Sequence, residues 1–195
     1  MDNRVVTVSR EFGSGGRTIG RQLAAKLNIP CYDYELIDKV AEESGFARSY
    51  IAEHGEYAAY GSRIGNALLS GHFVNGVANQ DFLWIAQRKV ITDLAEQGPC
   101  VIVGRCADYI LKDNPNLLKV FIHSDLDSRA ERIVKLYGES DVAPLKRLKD
   151  KDKRRAAYYR YYTDMEWGVA KNYDISLDSG RLGIDKCVEL LAQLY

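Results

Sequence analysis

The sequence predicts an α/β domain in three layers, with a five-stranded parallel sheet and helices on both faces. Two observations carry that expectation. Short continuous apolar runs alternate with helix-periodic segments, and the first run passes through glycines straight into a helix pattern. Uninterrupted apolar strands mark a sheet buried on both sides, and strand–helix alternation makes neighbouring strands parallel. At 195 residues the chain suits one such core with an attached subdomain.

The elements follow in order. "RVVTVSR" (4–10) opens the sheet, and "CVIVGR" (100–105), "LLKVFIHSD" (117–125) and "YDISLDS" (173–179) read the same way, with "PCYDY" (30–34) a shorter candidate. In "TIGRQLAAKLN" (18–28), Ile19, Leu23 and Leu27 recur at helical spacing until Asn28 and Pro30 end the helix. "DFLWIAQRKVITDLAEQG" (81–98) predicts a helix with Phe82, Ile85, Ala86 and Val90 on one side, stopped by Gly98-Pro99. Residues 44–80, rich in Gly, Ala, Tyr, Ser and Asn, predict a helical insertion over the ligand end of the sheet. Residues 138–168 hold "LKRLKDKDKRRAAYYRYYTDMEWG", first basic and then aromatic, and predict a helix. Tyrosines at 158, 159, 161 and 162 point several ways around a helix. They are expected to pack this segment on the core rather than to form a stacking face for single-stranded nucleic acid.

Composition narrows the function classes. Lys+Arg and Asp+Glu are both 27, so no overall field draws the chain to nucleic acid or to a membrane. No apolar run approaches the roughly 20 residues of a membrane span. "MDNRVVTV" enters a strand directly, without the long apolar stretch of a signal peptide. The four cysteines (Cys31, Cys100, Cys106, Cys187) form no C-x-x-C pair, and His54, His72 and His123 have no metal spacing. A cytoplasmic protein acting on small molecules is expected, and no feature of the sequence indicates its oligomeric state.

The glycine turn, "VVTVSREFGSGGRTIG" (5–20), admits only some loop types. The dinucleotide fingerprint G-x-G-x-x-G needs glycine at position 18, where Thr18 stands. The mononucleotide loop G-x-x-x-x-G-K-[ST] fits in two registers. In one, Arg17 replaces the lysine and Glu11 the first glycine. In the other, Gly13-Ser14-Gly15 supplies the glycines and Gly16 takes the lysine position. In either register, successive N–H groups over Gly13, Ser14, Gly15, Gly16, Arg17 and Thr18 can converge on a phosphate at a helix N-terminus. The absent lysine leaves its charge to arginine, Arg17 first, with Arg10 and the segment 151–155 in reserve.

Several blocks, in order, resemble the cytidylate kinase-like branch of the nucleoside monophosphate kinases. "GGRTIGRQLAAKLNI" is similar to that family's G-K-G-T-V-A-x-x-L-A-x-x-L-G, and "IPCYDYELI" to its Y-L-D segment. "CVIVGRCADYIL" resembles E-G-R-D-x-G, "KVFIHSDLDSRAERI" keeps an R-x-x-R spacing in Arg129 and Arg132, and "DKRRA" resembles the lid's D-x-x-R-A. "YDISLDSGRLGIDKCVELL" is similar to the last strand and helix. The resemblance implies a P-loop kinase fold in one domain. Its core would be 1–33, 81–137 and 169–195, with a monophosphate-binding insertion near 34–80 and a basic lid near 138–168. It implies ATP as phosphoryl donor, a magnesium ion, and CMP or dCMP as acceptor. The missing lysine, the unfamiliar insertion and the aromatic lid depart from the family pattern. They keep open a kinase for another small acceptor, or a nucleotide-binding sensor without transfer.

The expected site residues follow from both readings. Gly13–Thr18 would hold the ATP phosphates, with Thr18 a weak magnesium contact. Arg17, Arg132, Arg154 and Arg155 would carry the developing charge. Arg105, at the carboxyl end of a strand, would grip the acceptor phosphate, with an ion pair to Asp108 as the alternative. Asp33 would bind acceptor hydroxyls or a base amine, or cap the next helix. Asp152 and Arg155 would complete the acceptor site.

Overall fold

The computed structural model describes residues 4–56, 73–74 and 77–195. Residues 57–72 and 75–76, part of the expected insertion, and His72 with them, lie outside the described residues.

The five expected strands form one parallel sheet: β1 (Val5–Arg10), β2 (Cys31–Tyr32), β5 (Cys100–Val103), β6 (Leu117–His123) and β7 (Ile175–Asp178), in the order β2-β5-β1-β6-β7. Two short strands, β3 (Phe73–Val74) and β4 (Val77–Ala78), pair antiparallel outside it. The central strand β1 lies in register with both neighbours, Val5 opposite Cys100 and Leu117, Val8 opposite Val103 and Val120. Successive side chains point to opposite faces of a strand, and here both faces are apolar. Val5, Cys100 and Ile102 face one core, with Leu36, Val40, Leu83, Ile91 and Leu94. Val6, Val8, Val101 and Val103 face the other, with Ile19, Leu23, Cys187, Val188 and Leu191.

The helices distribute accordingly. α1 (Gly16–Leu27) and the C-terminal α9 (Ile184–Leu194) cover one face; α2 (Glu35–Ser44), α3 (Arg48–His54) and α4 (Asn79–Gln97) cover the other. The short turn α5 (Ala107–Ile110) follows β5, and α6 (Leu126–Tyr137) follows β6. α4 confirms the helix expected at 81–98 but corrects its buried face. Leu83, Ala86, Gln87, Val90, Ile91, Leu94 and Ala95 are buried, while Ile85 is 57% exposed. The segment has large apolar residues on more than one side, so spacing counted from Phe82 found Ala86 and Val90 but wrongly included Ile85.

The basic–aromatic segment is α7 (Pro144–Thr163), with Pro144 at the first turn, where its missing N–H costs nothing. Its second half packs down, with Tyr158 and Tyr159 buried against Cys106 and Tyr162 stacked on Trp84 at 4.3 Å. Tyr161 alone of the four tyrosines is exposed, at 54%. α8 (Ser179–Leu182) is capped by the Asp178 carboxylate, which accepts from the Gly180 and Arg181 N–H groups.

Candidate active site

β1 ends at Arg10, and the chain turns through residues 11–15 into α1 at the carboxyl edge of the sheet, where ligands of such folds bind. Gly13 and Gly15 take left-handed φ of +80° and +82°, a region side chains avoid. A Cβ on Gly16 would lie 2.5 Å from the Arg10 Cβ, so only glycine lets the loop pass this close to β1. The loop is tied from behind. Ser14 donates to the Glu11 carbonyl through Oγ at 2.9 Å, and Ser179 Oγ lies within hydrogen-bond reach of the Ser14 and His123 carbonyls. The first-turn N–H groups of α1 have no acceptors inside the helix. Gly15, Gly16, Arg17 and Thr18 line an open cleft of about 470 Å³, within the usual range of ligand pockets, roughly 300–1,000 Å³. These donors and the helix dipole give that end of the cleft a built-in preference for anions.

Three charged groups hold the loop's flanks. Arg132, on α6, donates to the Gly13 carbonyl at 3.0 Å. Arg129, one turn earlier and buried, donates to the Phe12 carbonyl at 3.3 Å and pairs with Asp152 at 2.6 Å. Asp152 in turn accepts from the Phe12 N–H at 2.7 Å, which clasps α7 to the loop. Glu11 is turned away from the amides: its carboxylate accepts from the Ser124 N–H at 3.1 Å and lies 3.3 Å from Arg129. Burial raises the Glu11 carboxyl above its ordinary value, against the opposing pull of the Ser124 N–H and Arg129.

Arg17 lines the cleft, but its Nε pairs with the buried Asp33 carboxylate at 2.7 Å, and its guanidinium lies 4.2 Å over the Tyr34 ring. Arg21 reaches the same carboxylate at 3.4 Å. Asp33 does not cap α2, whose N-cap is Tyr34 without a side-chain bond.

The opposite side of the cleft gathers three buried arginines around one buried carboxylate. Arg10 forms a two-pronged pair with Glu56, Nη1 to Oε1 and Nη2 to Oε2, the latter at 3.0 Å. Arg155 Nη2 lies 3.7 Å from Glu56 Oε2, and the Arg105 N–H points at Oε1 over 3.4 Å. The Arg105 guanidinium donates to the Ile51 carbonyl at 3.0 Å. Burial alone would raise the Glu56 carboxyl, but Arg10 and Arg155, with a further contribution from Arg105, hold it well below the ordinary carboxylate value. The backbone here is unusual: Gly104, Arg105 and Cys106 take φ of +74°, +60° and +54° in succession. Two consecutive non-glycine residues in this region are a strained arrangement of the kind found at functional sites. A Cβ on Gly104 would meet Arg10 Nη1 and Glu56 Oε1, so a side chain there would push this pair aside besides straining the positive φ. Asp108 accepts hydrogen bonds from Tyr159 Oη at 2.7 Å and Ser9 Oγ at 3.3 Å, and burial raises its carboxyl.

The cleft thus brings together Gly13, Gly15, Gly16, Arg17, Thr18, Arg105, Arg132 and Arg155 from the expected set. Ser14 lies beneath the loop, Asp33 behind Arg17, and Asp152 at the junction of loop and α7. Arg154 is half-buried beside Arg155 and is not among the cleft's lining residues. Sequence reasoning kept Arg10 only in reserve, although its place at a strand's carboxyl end is the signal that singled out Arg105. Glu56 and Tyr34 went unnoticed, and nothing in the pattern around Glu56 distinguishes it from a solvated acid.

Comparison with known proteins agrees with this architecture. The sequence profile of the Cytidylate kinase-like family matches residues 5–181. A cytidylate kinase of Methanothrix thermoacetophila is 27% identical over 179 residues, covering 91% of this chain and 89% of that protein. The crystal structure of an uncharacterized protein from Eubacterium ventriosum superposes with a TM-score of 0.73 at 29% identity, covering 98% and 97% of the two chains. The fold of a shikimate kinase from Bacteroides thetaiotaomicron matches with a TM-score of 0.57 at 19% identity, covering 98% and 97%. The fold is that of the P-loop kinases, and the profile match spans nearly the whole sheet and both ends of the cleft: the chain belongs to the cytidylate kinase-like family.

Proposed function

We propose that this chain transfers the γ-phosphoryl group of ATP to a nucleoside monophosphate in the cytoplasm, with CMP and dCMP the first acceptors to test. The observation that carries this reading is a single cleft with two unlike anion-binding ends, main-chain amides at one and guanidiniums at the other. Phosphoryl transfer asks little covalent chemistry of a protein; it asks for aligned reactants, charge on the transferring oxygens and exclusion of water.

In this mechanism the amides of Gly13–Thr18 hold the donor's phosphates, and Arg132 and Arg17 add the positive charge a lysine would bring. Arg105 and Arg155 grip the acceptor's phosphate, which the guanidinium fork matches with paired hydrogen bonds. Asp152 positions Arg155 (3.8 Å) and Arg129 (2.6 Å) together, and Arg154 adds charge when the segment near 138–168 closes as a lid. The insertion near 34–80 completes the acceptor pocket over a core of 1–33, 81–137 and 169–195. Among the described residues no group of three His, Cys, Asp or Glu is placed to hold a metal. The exposed Thr18, together with nucleotide phosphates and water, would hold a magnesium ion. When bound, that ion neutralises phosphate oxygens.

A second reading, a kinase for another small phosphate or alcohol, is favoured by Asp33. The side chain expected to read the acceptor's base or hydroxyls is buried against Arg17 and Arg21. A coupled ADP-formation assay across the common monophosphates and small alcohols separates the readings. CMP turnover is the expected result, and turnover only with another acceptor establishes the second. Tight ATP binding without any turnover leaves a nucleotide sensor.

A further inference from the structure

The guanidiniums that an acceptor's phosphate needs, Arg10 and Arg155, already face Glu56, which Arg10 hydrogen-bonds and Arg155 approaches to 3.7 Å. Arg10 spends both terminal nitrogens on the Glu56 carboxylate, and Arg155 turns Nη2 toward the same oxygen pair. The arrangement is built rather than incidental. Gly104 leaves out the Cβ that would collide with this pair, and Gly55 leaves out one that would strike Arg105 Nη1. All four charged residues, Arg10, Arg105, Arg155 and Glu56, line the cleft.

We propose that Glu56 is a specificity-determining residue: an internal carboxylate occupies the acceptor-phosphate site on Arg10 and Arg155, and only a phosphate group, free or as a monoester, displaces it. The proposal rests on the kinase reading above and adds Arg10 as a third guanidinium for the acceptor. Arginine forks pair with carboxylate and phosphate in the same geometry, so the exchange puts one anion in place of another on the same guanidiniums. A phosphate monoester carries close to two negative charges at neutral pH and three terminal oxygens, against one charge and two oxygens for the side chain. It therefore outcompetes Glu56, whereas water, an alcohol or a single carboxylate does not. The neighbouring arginines also keep Glu56 ionised, so protonation does not vacate the site. Glu56 follows α3 directly through Gly55 and so lies within the expected insertion near 34–80.

The test uses inorganic phosphate as the probe on the full chain, by calorimetric titration and thermal melting, for the natural protein, Glu56→Gln and Glu56→Asp. With the competitor removed, phosphate is expected to bind Glu56→Gln about tenfold more tightly, within the usual range of coupling between two ligands. Phosphate should also raise its melting temperature more than that of the natural protein. Glu56→Asp keeps the charge on a shorter stem and should tighten phosphate by a smaller factor, which covers the case in which the glutamine variant fails to fold. Arg10→Lys should weaken phosphate binding. Equal or weaker phosphate binding by both Glu56 variants overturns the proposal and makes Glu56 a fixed brace for the arginines. Turnover of CMP alongside that result leaves the kinase reading intact. Tighter phosphate binding without turnover of any acceptor removes the kinase reading and leaves the anion exchange standing.

Discussion

The two ends of the cleft present hydrogen-bond donors by different physics. At the glycine loop the donors are neutral main-chain amides, supplied by consecutive residues and aimed by left-handed Gly13 and Gly15. At the far end the donors are guanidiniums delivered by the end of β1, the end of β5 and the middle of α7, held in place by one another's partners. The first arrangement does not titrate and tolerates any side chain that leaves the backbone path open. The second fails when any one charge is removed, because a buried ion that loses its partner keeps the cost of desolvation.

That contrast can be broken most forcefully at Glu56. Glu56→Gln should lose about 3–5 kcal/mol of unfolding free energy at pH 7, the usual cost of removing one partner of a buried pair. The Glu56 carboxyl sits below its ordinary value of 4.5 in the folded chain. Its contribution is therefore present above that value and is lost as pH falls below it toward the folded one. Urea unfolding from pH 7 to pH 3 should show the gap between natural and variant proteins narrowing on the acid side; a constant gap would contradict the ion-pair account.

Arg105→Ala should lower kcat/KM for the acceptor by about 10²–10³-fold, as expected when a charge-stabilising donor is removed. The KM for ATP should stay unchanged, since the loop end is built separately. Gly16→Ala sharpens the comparison from the other side. Its Cβ would press on Arg10, so overpacking of about 1–3 kcal/mol should appear in thermal melts together with weakened ATP binding. Arg17→Ala should cost roughly tenfold in kcat/KM for ATP, about the 1.5 kcal/mol of a hydrogen bond to a charged group. An unchanged value would assign the missing lysine's charge to Arg132 alone. The smallest effect belongs to Ser179→Ala, which removes one tie behind the loop and should lower stability by about 1 kcal/mol, measured by urea unfolding, with the acceptor's KM unmoved.

The same contrast governs what the sequence revealed. The sheet was legible because β-branched runs buried on both faces leave an unmistakable apolar pattern, and Val5 and Val6 do face opposite cores. The glycine loop was legible because its parts are contiguous. Arg105 and Arg155 came through the family resemblance and the strand-end rule rather than from local pattern. Arg10 obeyed that rule and was passed over, because the loop beside it drew attention to a missing lysine. Glu56 left no trace at all. Its meaning exists only once folding brings it against Arg10, 46 residues away in the chain. The aromatic run was read correctly in kind, since Tyr158 and Tyr159 are buried, though no spacing argument singled out Tyr161 as the exposed one.

The left-handed stretch at Gly104, Arg105 and Cys106 carries a practical lesson for anyone wishing to retarget this scaffold. The direction of the Arg105 side chain is written into the main chain, so exchanging that residue alone changes the chemistry without redirecting it. A redesign for a new acceptor would have to transplant the whole three-residue bend along with its glycine, and choose the replacement for position 105 among residues that tolerate a positive φ.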